Sequence, residues 1–120
     1  MVLTEVSQLS KECNTWRNEL RRHREKLSQN KMKLRVLSGR QTHPDVLTEI
    51  EHLDNQFHIQ LINIHDLKQS IKIHDRMILE EREASDARLK HHENLFDDYQ
   101  RLESTLLGIK QEFEFFVRQL

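Results

Sequence analysis

The sequence predicts an all-α protein, and three observations support that fold class. The 120 residues include only 2 glycines and 1 proline, so the chain has few of the residues that turns and strand ends require. Leu, Glu, Lys, Arg and Gln, all good helix formers, dominate the composition. Apolar residues recur alternately four and three residues apart, as in a coiled-coil seam. Because only 36% of the chain is apolar and 32% is charged, we expect residues 1–120 to form one slender module without a thick core.

The first helix is predicted over about residues 2–38. Alternate steps of four and three residues from Val2 to Leu37 meet apolar side chains at every position except His23 and Asn30. The segment 39–43 then predicts a turn. Gly39 can take the left-handed conformation that ends a helix, and Thr42 or His43 can cap a new helix whose first turn tolerates Pro44.

The second helix is predicted over about residues 44–80, with an apolar seam of the same spacing. If the chain reverses at the turn, the two seams form an antiparallel hairpin in which Trp16 faces Leu67 and His23 faces Gln60. The same register brings basic residues of the first helix near acidic residues of the second. It predicts contacts between Lys31 and Asp54 and between Lys33 and Glu49, each worth only about 0.2–1 kcal/mol.

Residues 81–93 interrupt the apolar seam, and two architectures follow from this interruption. The seam positions Glu81, Ser85, Arg88 and His92 are polar, after which the apolar spacing resumes in phase through residues 94–120. We favour a second helix that continues to about residue 120 as a coiled coil, because this stretch has no Gly or Pro and the phase is preserved. The alternative is a three-helix bundle with a turn near 81–92.

The alternative three-helix bundle is similar in outline to a known type of repeat. Three segments of similar length, with Trp16 in the first, resemble a spectrin-type repeat. The resemblance covers segment length and the tryptophan, and it implies a three-helix bundle with no particular function.

Several apolar residues would remain uncovered in a lone hairpin. Ile59, Ile62 and Ile73 point away from the predicted seam, and the segment 94–120 carries a seam of its own. A continuous apolar surface of this kind usually marks an interface. The predicted partner-binding residues are Ile59, Ile62, Ile73, Leu95, Tyr99, Leu102, Leu106, Ile109, Phe113 and Phe116.

Catalytic, cofactor and metal sites are not predicted. No two of the 8 histidines are three or four residues apart, the spacing at which one helix presents two ligands together. The single Cys13 lies on the apolar seam, where a thiol usually serves as inert packing. His23, His74 and His92 also lie on the seam, which predicts weaker assembly near about pH 5.5 than near about pH 7.5.

The segment "RNELRRHREKLSQNKMKLR" is strongly basic although the net charge of the chain is −1. It predicts, as an alternative function, a helical module that binds nucleic acid, a microtubule or anionic lipid by charge. The residues that would carry this binding are Arg17, Arg21, Arg22, Arg24, Lys31 and Arg35.

The favoured function is a non-enzymatic coiled-coil oligomerisation or adaptor module that binds protein partners, as a homodimer or a helical hetero-oligomer. No apolar run is long enough to span a bilayer. The single cysteine suits a reducing compartment, so we expect a cytoplasmic protein. The sequence is also compatible with cytoskeletal or centrosomal association and with a nuclear location. The chain could be a segment of a longer protein.

Overall fold

Three α-helices make up the protein. The computed structural model describes residues 2–120, with side chains from residue 5 onward. The helices are α1 (Val2–Ser38), α2 (Pro44–Glu80) and α3 (Asp86–Gln119), and residues 2–120 contain no strand. The all-helical prediction is therefore confirmed, as are the predicted bounds of the first two helices. The seam position predicted at Val2 lies outside the described side chains. The molecule is elongated, with principal extents of 61 × 18 × 18 Å.

The first turn joins α1 to α2 as the sequence predicts, with one difference. The Arg40 amide donates to the Leu37 carbonyl at 3.0 Å, which closes α1. Gly39 does not adopt a positive φ, so the expected left-handed cap is absent. His43 is the N-cap of α2, and its Nδ1 accepts from the Asp45 amide at 3.2 Å. The capping bond and the proline at the first helical position together fix the start of α2.

The favoured prediction of one continuous helix from residue 44 to 120 is wrong. The α2 helix ends at Glu80, and Glu81 takes an extended conformation with φ −93° and ψ 139°. Ser85 is the N-cap of α3, and its hydroxyl accepts from the Arg88 amide at 3.1 Å. Because both residues occupy ordinary extended backbone, this turn needs neither Gly nor Pro. Reversal at residues 81–85 buries the apolar side of α3, which a continuous helix would leave in water.

Hydrogen bonds between helices define their directions. Ser10 donates to Asp75 at 2.6 Å, and Lys31 donates to Asp54 at 2.7 Å. Residues early in α1 thus contact residues late in α2, so the two helices run antiparallel. The Lys31–Asp54 contact confirms that part of the predicted register.

The third helix returns alongside the other two. His52 of α2 bonds Glu112 of α3 at 3.1 Å, and the Phe57 and Phe113 rings meet edge to face at 5.4 Å, so α2 and α3 are also antiparallel. His23 of α1 lies 2.9 Å from Glu103. The apolar sides of all three helices face one interior, where Leu20, Leu53, Phe57, Ile64, Ile71 and Ile78 are fully buried.

Candidate functional site

One polar cluster lies inside this apolar interior, and each helix contributes one residue to it. Cys13 comes from α1, His74 from α2 and His92 from α3. Their exposed fractions are 0%, 0% and 6%. One potential ligand atom of each residue lies within 4.8 Å of those of the other two. We call these three residues the Cys–His cluster.

His92 connects the cluster in both directions. Its Nδ1 lies 3.0 Å from Nε2 of His74 and 4.0 Å from Sγ of Cys13. Its Nε2 lies 2.9 Å from Oε1 of Glu12. Because the Glu12 carboxylate only accepts, Nε2 of His92 carries the proton, and a neutral His92 offers the Nδ1 lone pair to the cluster. His74 then donates from Nε2, which leaves its own Nδ1, buried and without a hydrogen-bond partner, as an acceptor.

Aromatic rings flank the cluster. The Trp16 ring centroid lies 4.7 Å from that of His92, and the His91 ring stands edge to face with His74 at 4.6 Å. Trp16 also stacks with Phe96 and Tyr99. Trp16 thus packs against α3, and these rings help to exclude water from the histidine pair.

Burial shifts two pKa values in the cluster. The pKa of the Cys13 thiol rises to about 12, chiefly through burial and then through the negative charges of Asp75 and Glu12. The pKa of His74 falls to about 4, chiefly through burial and then through the nearby His91 and His92. At neutral pH the thiol is therefore protonated and His74 is uncharged.

Sequence reasoning missed this cluster because it compared histidine spacing within one helix. Here the three residues are 61 and 18 positions apart along the chain, and only the packing of three helices brings them together. A usable signal did exist. Cys13, His74 and His92 are all predicted seam positions, and seam residues converge when three helices share one interior.

Two further histidines contact carboxylates at the surface. His23 and Glu103 are each about one-third exposed, and His52 and Glu112 are each more than 40% exposed. Gln60 instead accepts from Asn63 at 3.2 Å. The expected pairing of His23 with Gln60 is thus replaced by a contact between His23 and α3.

The structure divides the predicted partner-binding residues into two groups. Ile59, Ile62 and Ile73 are 45%, 48% and 53% exposed and lie on α2. The residues of α3 instead face the interior of the bundle. There α1 and α2 provide the cover that the sequence analysis expected from a partner chain. This group comprises Leu95, Tyr99, Leu106, Ile109, Phe113 and Phe116, which are buried, and Leu102, which is partly buried.

The predicted polyanion-binding residues of α1 lie mainly on the surface of the bundle. Lys31 forms a salt bridge with Asp54. Arg17 is partly buried, and its Nε is buried without a partner. The pKa of Lys68 on α2 is lowered by burial and then by Arg24, Arg21 and Arg17, so positive charge is concentrated along the α1–α2 groove. The exposed members of the predicted set are Arg21, Arg22, Arg24 and Arg35.

Comparison with protein-family models, with curated proteins and with solved structures found no match for this chain. Within residues 2–120, none of the helices has the combination of length and apolar character needed to cross a membrane.

Proposed function

We propose that the chain is a non-catalytic helical adaptor that pairs with a second copy of itself through the outer face of α2. The exposure of three isoleucines on one side of this helix is the observation that supports the proposal. Ile59, Ile62 and Ile73 are about half exposed, as is Met77 at 41%. At 3.6 residues per turn these four side chains fall within about 60° of the helix circumference. We call them the α2 stripe.

The α2 stripe lies opposite the side of α2 that faces the interior. Buried residues such as Leu53, Ile64 and Ile71 project on the other side of a helical wheel. Neither α1 nor α3 can therefore cover the α2 stripe. Single exposed apolar residues are ordinary, but a row that extends for about 27 Å at 1.5 Å per residue is typical of an interface.

The order of residues in the α2 stripe favours a second copy as its partner. An antiparallel contact with a two-fold axis at the height of residue 68 places Ile62 of one copy opposite Ile73 of the other. The same axis places Ile59 opposite Met77. Every apolar residue of the stripe thus meets an apolar residue, as an isologous interface requires.

Polar residues on this face fit the same arrangement. Asp66 of one copy falls opposite the uncharged Gln69 and Ser70 of the other, so the two Asp66 carboxylates do not face each other directly and lie about one helical turn apart along the contact. A contact of two helices in this geometry is of coiled-coil type. Because only four apolar residues per copy take part, we expect a weak dimer that dissociates on dilution.

The first test measures particle mass by light scattering over a range of protein concentrations. We expect the mass to rise from that of one chain towards that of two chains. The double variant Ile62→Asp with Ile73→Asp should remain monomeric at every concentration, because it places carboxylates where apolar side chains meet. A wild-type protein that stays monomeric throughout contradicts the proposal.

A matched control distinguishes association through the α2 stripe from nonspecific hydrophobic association. Leu107 on α3 is 55% exposed, similar to Ile73, but it lies on a different helix. Leu107→Asp should dimerise like the wild type. Circular dichroism should show equal helix content in all variants, since every substituted side chain is exposed.

A second candidate function is binding of a polyanion along α1. The concentration of positive charge around Lys68 favours it, since Arg17, Arg21 and Arg24 all lower the pKa of that residue. Arg21→Glu with Arg24→Glu should abolish a salt-sensitive gel shift with duplex DNA or pelleting with microtubules. Arg101→Glu, which changes an exposed arginine of α3, is the control. Absence of binding by the wild type at low salt rejects this candidate.

A further inference from the structure

We propose that Cys13, His74 and His92 form a binding site for a single transition-metal ion, with Zn²⁺ as the best fit. One thiolate and two imidazoles are ligands that Zn²⁺ accepts in proteins. Each of the three helices contributes one ligand, so the ion would join the whole bundle at one point. This inference goes beyond the proposed dimer, which uses the exposed side of α2.

The distances suit an ion at the centre of the cluster. In a tetrahedral site with Zn–S near 2.3 Å and Zn–N near 2.0–2.1 Å, ligand atoms lie about 3.3–3.6 Å apart. The two short distances of the cluster, 3.0 Å between the histidine nitrogens and 4.0 Å from Sγ to Nδ1 of His92, bracket this range. Small side-chain rotations are therefore enough to bring the ligand atoms into place.

Glu12 supplies the support that a metal-binding histidine usually has. A histidine ligand typically donates its second ring N–H to a carboxylate, which fixes its orientation and raises its basicity. Here Nε2 of His92 meets Oε1 of Glu12 at 2.9 Å, while Nδ1 faces Cys13 and His74. The ring is thus already oriented with its lone pair towards the cluster.

Coordination changes the proton positions within the cluster. His74 binds an ion through Nε2 once its ring proton has moved from that nitrogen to Nδ1. Cys13 must lose its thiol proton to solvent, and a bound cation compensates for the burial that otherwise opposes a thiolate. Glu12 and Asp75, whose charges raise the thiol pKa, attract a cation for the same reason. Arg17 and Arg88 act in the opposite sense.

The ligand set is open at a fourth position. Asp75 follows His74 directly, is 8% exposed and accepts from Ser10. Its carboxylate is not one of the three groups that lie within 4.8 Å of one another, so water would complete a tetrahedral ion.

The test is a titration of the full chain with Co²⁺ after treatment with a chelator. We expect thiolate-to-cobalt charge-transfer absorption in the near ultraviolet and visible bands of tetrahedral intensity, both saturating at one ion per chain. Addition of Zn²⁺ should abolish both, and the melting temperature should rise with Zn²⁺ concentration because the ion binds only the folded chain. If the wild type shows no thiolate band at saturating Co²⁺, the proposal is wrong.

Variants assign the ligands. Cys13→Ala should lose the charge-transfer band, and His74→Ala should weaken Co²⁺ binding at least tenfold. Glu12→Ala should weaken it by about 10–100-fold, the usual effect of removing a carboxylate that supports a histidine ligand. If Cys13→Ala does not fold, the wild-type spectrum still decides the question, since Cys13 is the sole thiol of the chain.

The matched control changes the two surface histidines that face carboxylates. Among residues 5–120, two other groups of side chains could hold an ion, and the double variant His23→Ala with His52→Ala removes the histidine from each of them. It should bind Co²⁺ with the wild-type spectrum and affinity. Loss of binding in this variant, with binding retained in His74→Ala, would place the ion at the surface and overturn the proposal.

Discussion

Two regions of the bundle interior are equally well buried and are stabilised in different ways. In one, Phe57 of α2 meets Phe113 of α3 edge to face at 5.4 Å. In the other, Cys13, His74 and His92 meet. Phe57 and His74 are both 0% exposed. The comparison shows that burial alone does not decide what stabilises an interior, since the first region depends on apolar area and the second on hydrogen bonds and protonation.

The difference has a direct physical cause. The aromatic pair needs no partner beyond shape and apolar surroundings. Buried imidazoles need hydrogen-bond partners, because a buried polar group without a partner costs about 1–3 kcal/mol. Hydrogen bonds between Glu12 and His92 and between His92 and His74 meet that requirement. Only Nδ1 of His74 remains without a hydrogen-bond partner in this cluster.

The largest expected effect is in the aromatic region. Phe57→Ala should lower the free energy of unfolding by about 3–5 kcal/mol, because it removes a fully buried ring and leaves a cavity. Urea denaturation measures this loss, which should be the same at neutral and mildly acidic pH. Phe115, which is 59% exposed, provides the control, and Phe115→Ala should change the stability by no more than about 0.5 kcal/mol. Equal losses in the two variants would contradict the described packing of Phe57.

The next effect is in the Cys–His cluster and depends on pH. The pKa of His74 is about 4 in the folded chain against an ordinary value of 6.5. The unfolded chain therefore binds the proton more readily, so this residue's contribution to stability is complete above about pH 6.5 and falls as the pH decreases towards 4. Between about pH 7.5 and about pH 5.5 the metal-free chain should lose about 1 kcal/mol. Thermal melts in the presence of a chelator measure the loss.

His74→Leu sharpens this prediction. The variant has no imidazole to protonate at that position, so the difference between its melts at the two pH values should be smaller than in the wild type. His65→Leu, which changes an exposed histidine of the same helix, should keep the full difference. If both variants behave alike, the acid sensitivity comes from outside the cluster.

The smallest effect is at the surface beside the aromatic region. Lys31 and Asp54 are 2.7 Å apart, with side chains 22% and 48% exposed. Asp54→Asn should cost about 0.2–1 kcal/mol, because water screens a partly exposed pair. The loss should shrink as salt is added in urea denaturation. A loss as large as that of Phe57→Ala would mean that charge, and not apolar packing, dominates this end of the bundle.

Much of the fold could be predicted from local signals. Residues 2–38 and 44–80 were predicted as helices because apolar spacing, Pro44 and the capping residues all lie within short stretches of chain. The contact of Lys31 with Asp54 could also be predicted, since the register of two seams joined by a short turn is fixed by the turn. The exposed positions of Ile59, Ile62 and Ile73 follow from helix periodicity alone.

The path of the chain after Glu80 was not fixed by local signals. A continuous helix and a turn at residues 81–85 are both compatible with a polar stretch that lacks Gly and Pro, and Ser85 was not recognised as an N-cap. Tertiary structure decided between them, because the reversal lets α1 and α2 cover the apolar side of α3. The Cys–His cluster depends on the same decision. The sequence by itself determined that Cys13, His74 and His92 occupy seam positions on helices, and only the packing of three helices against one another determined that these side chains meet.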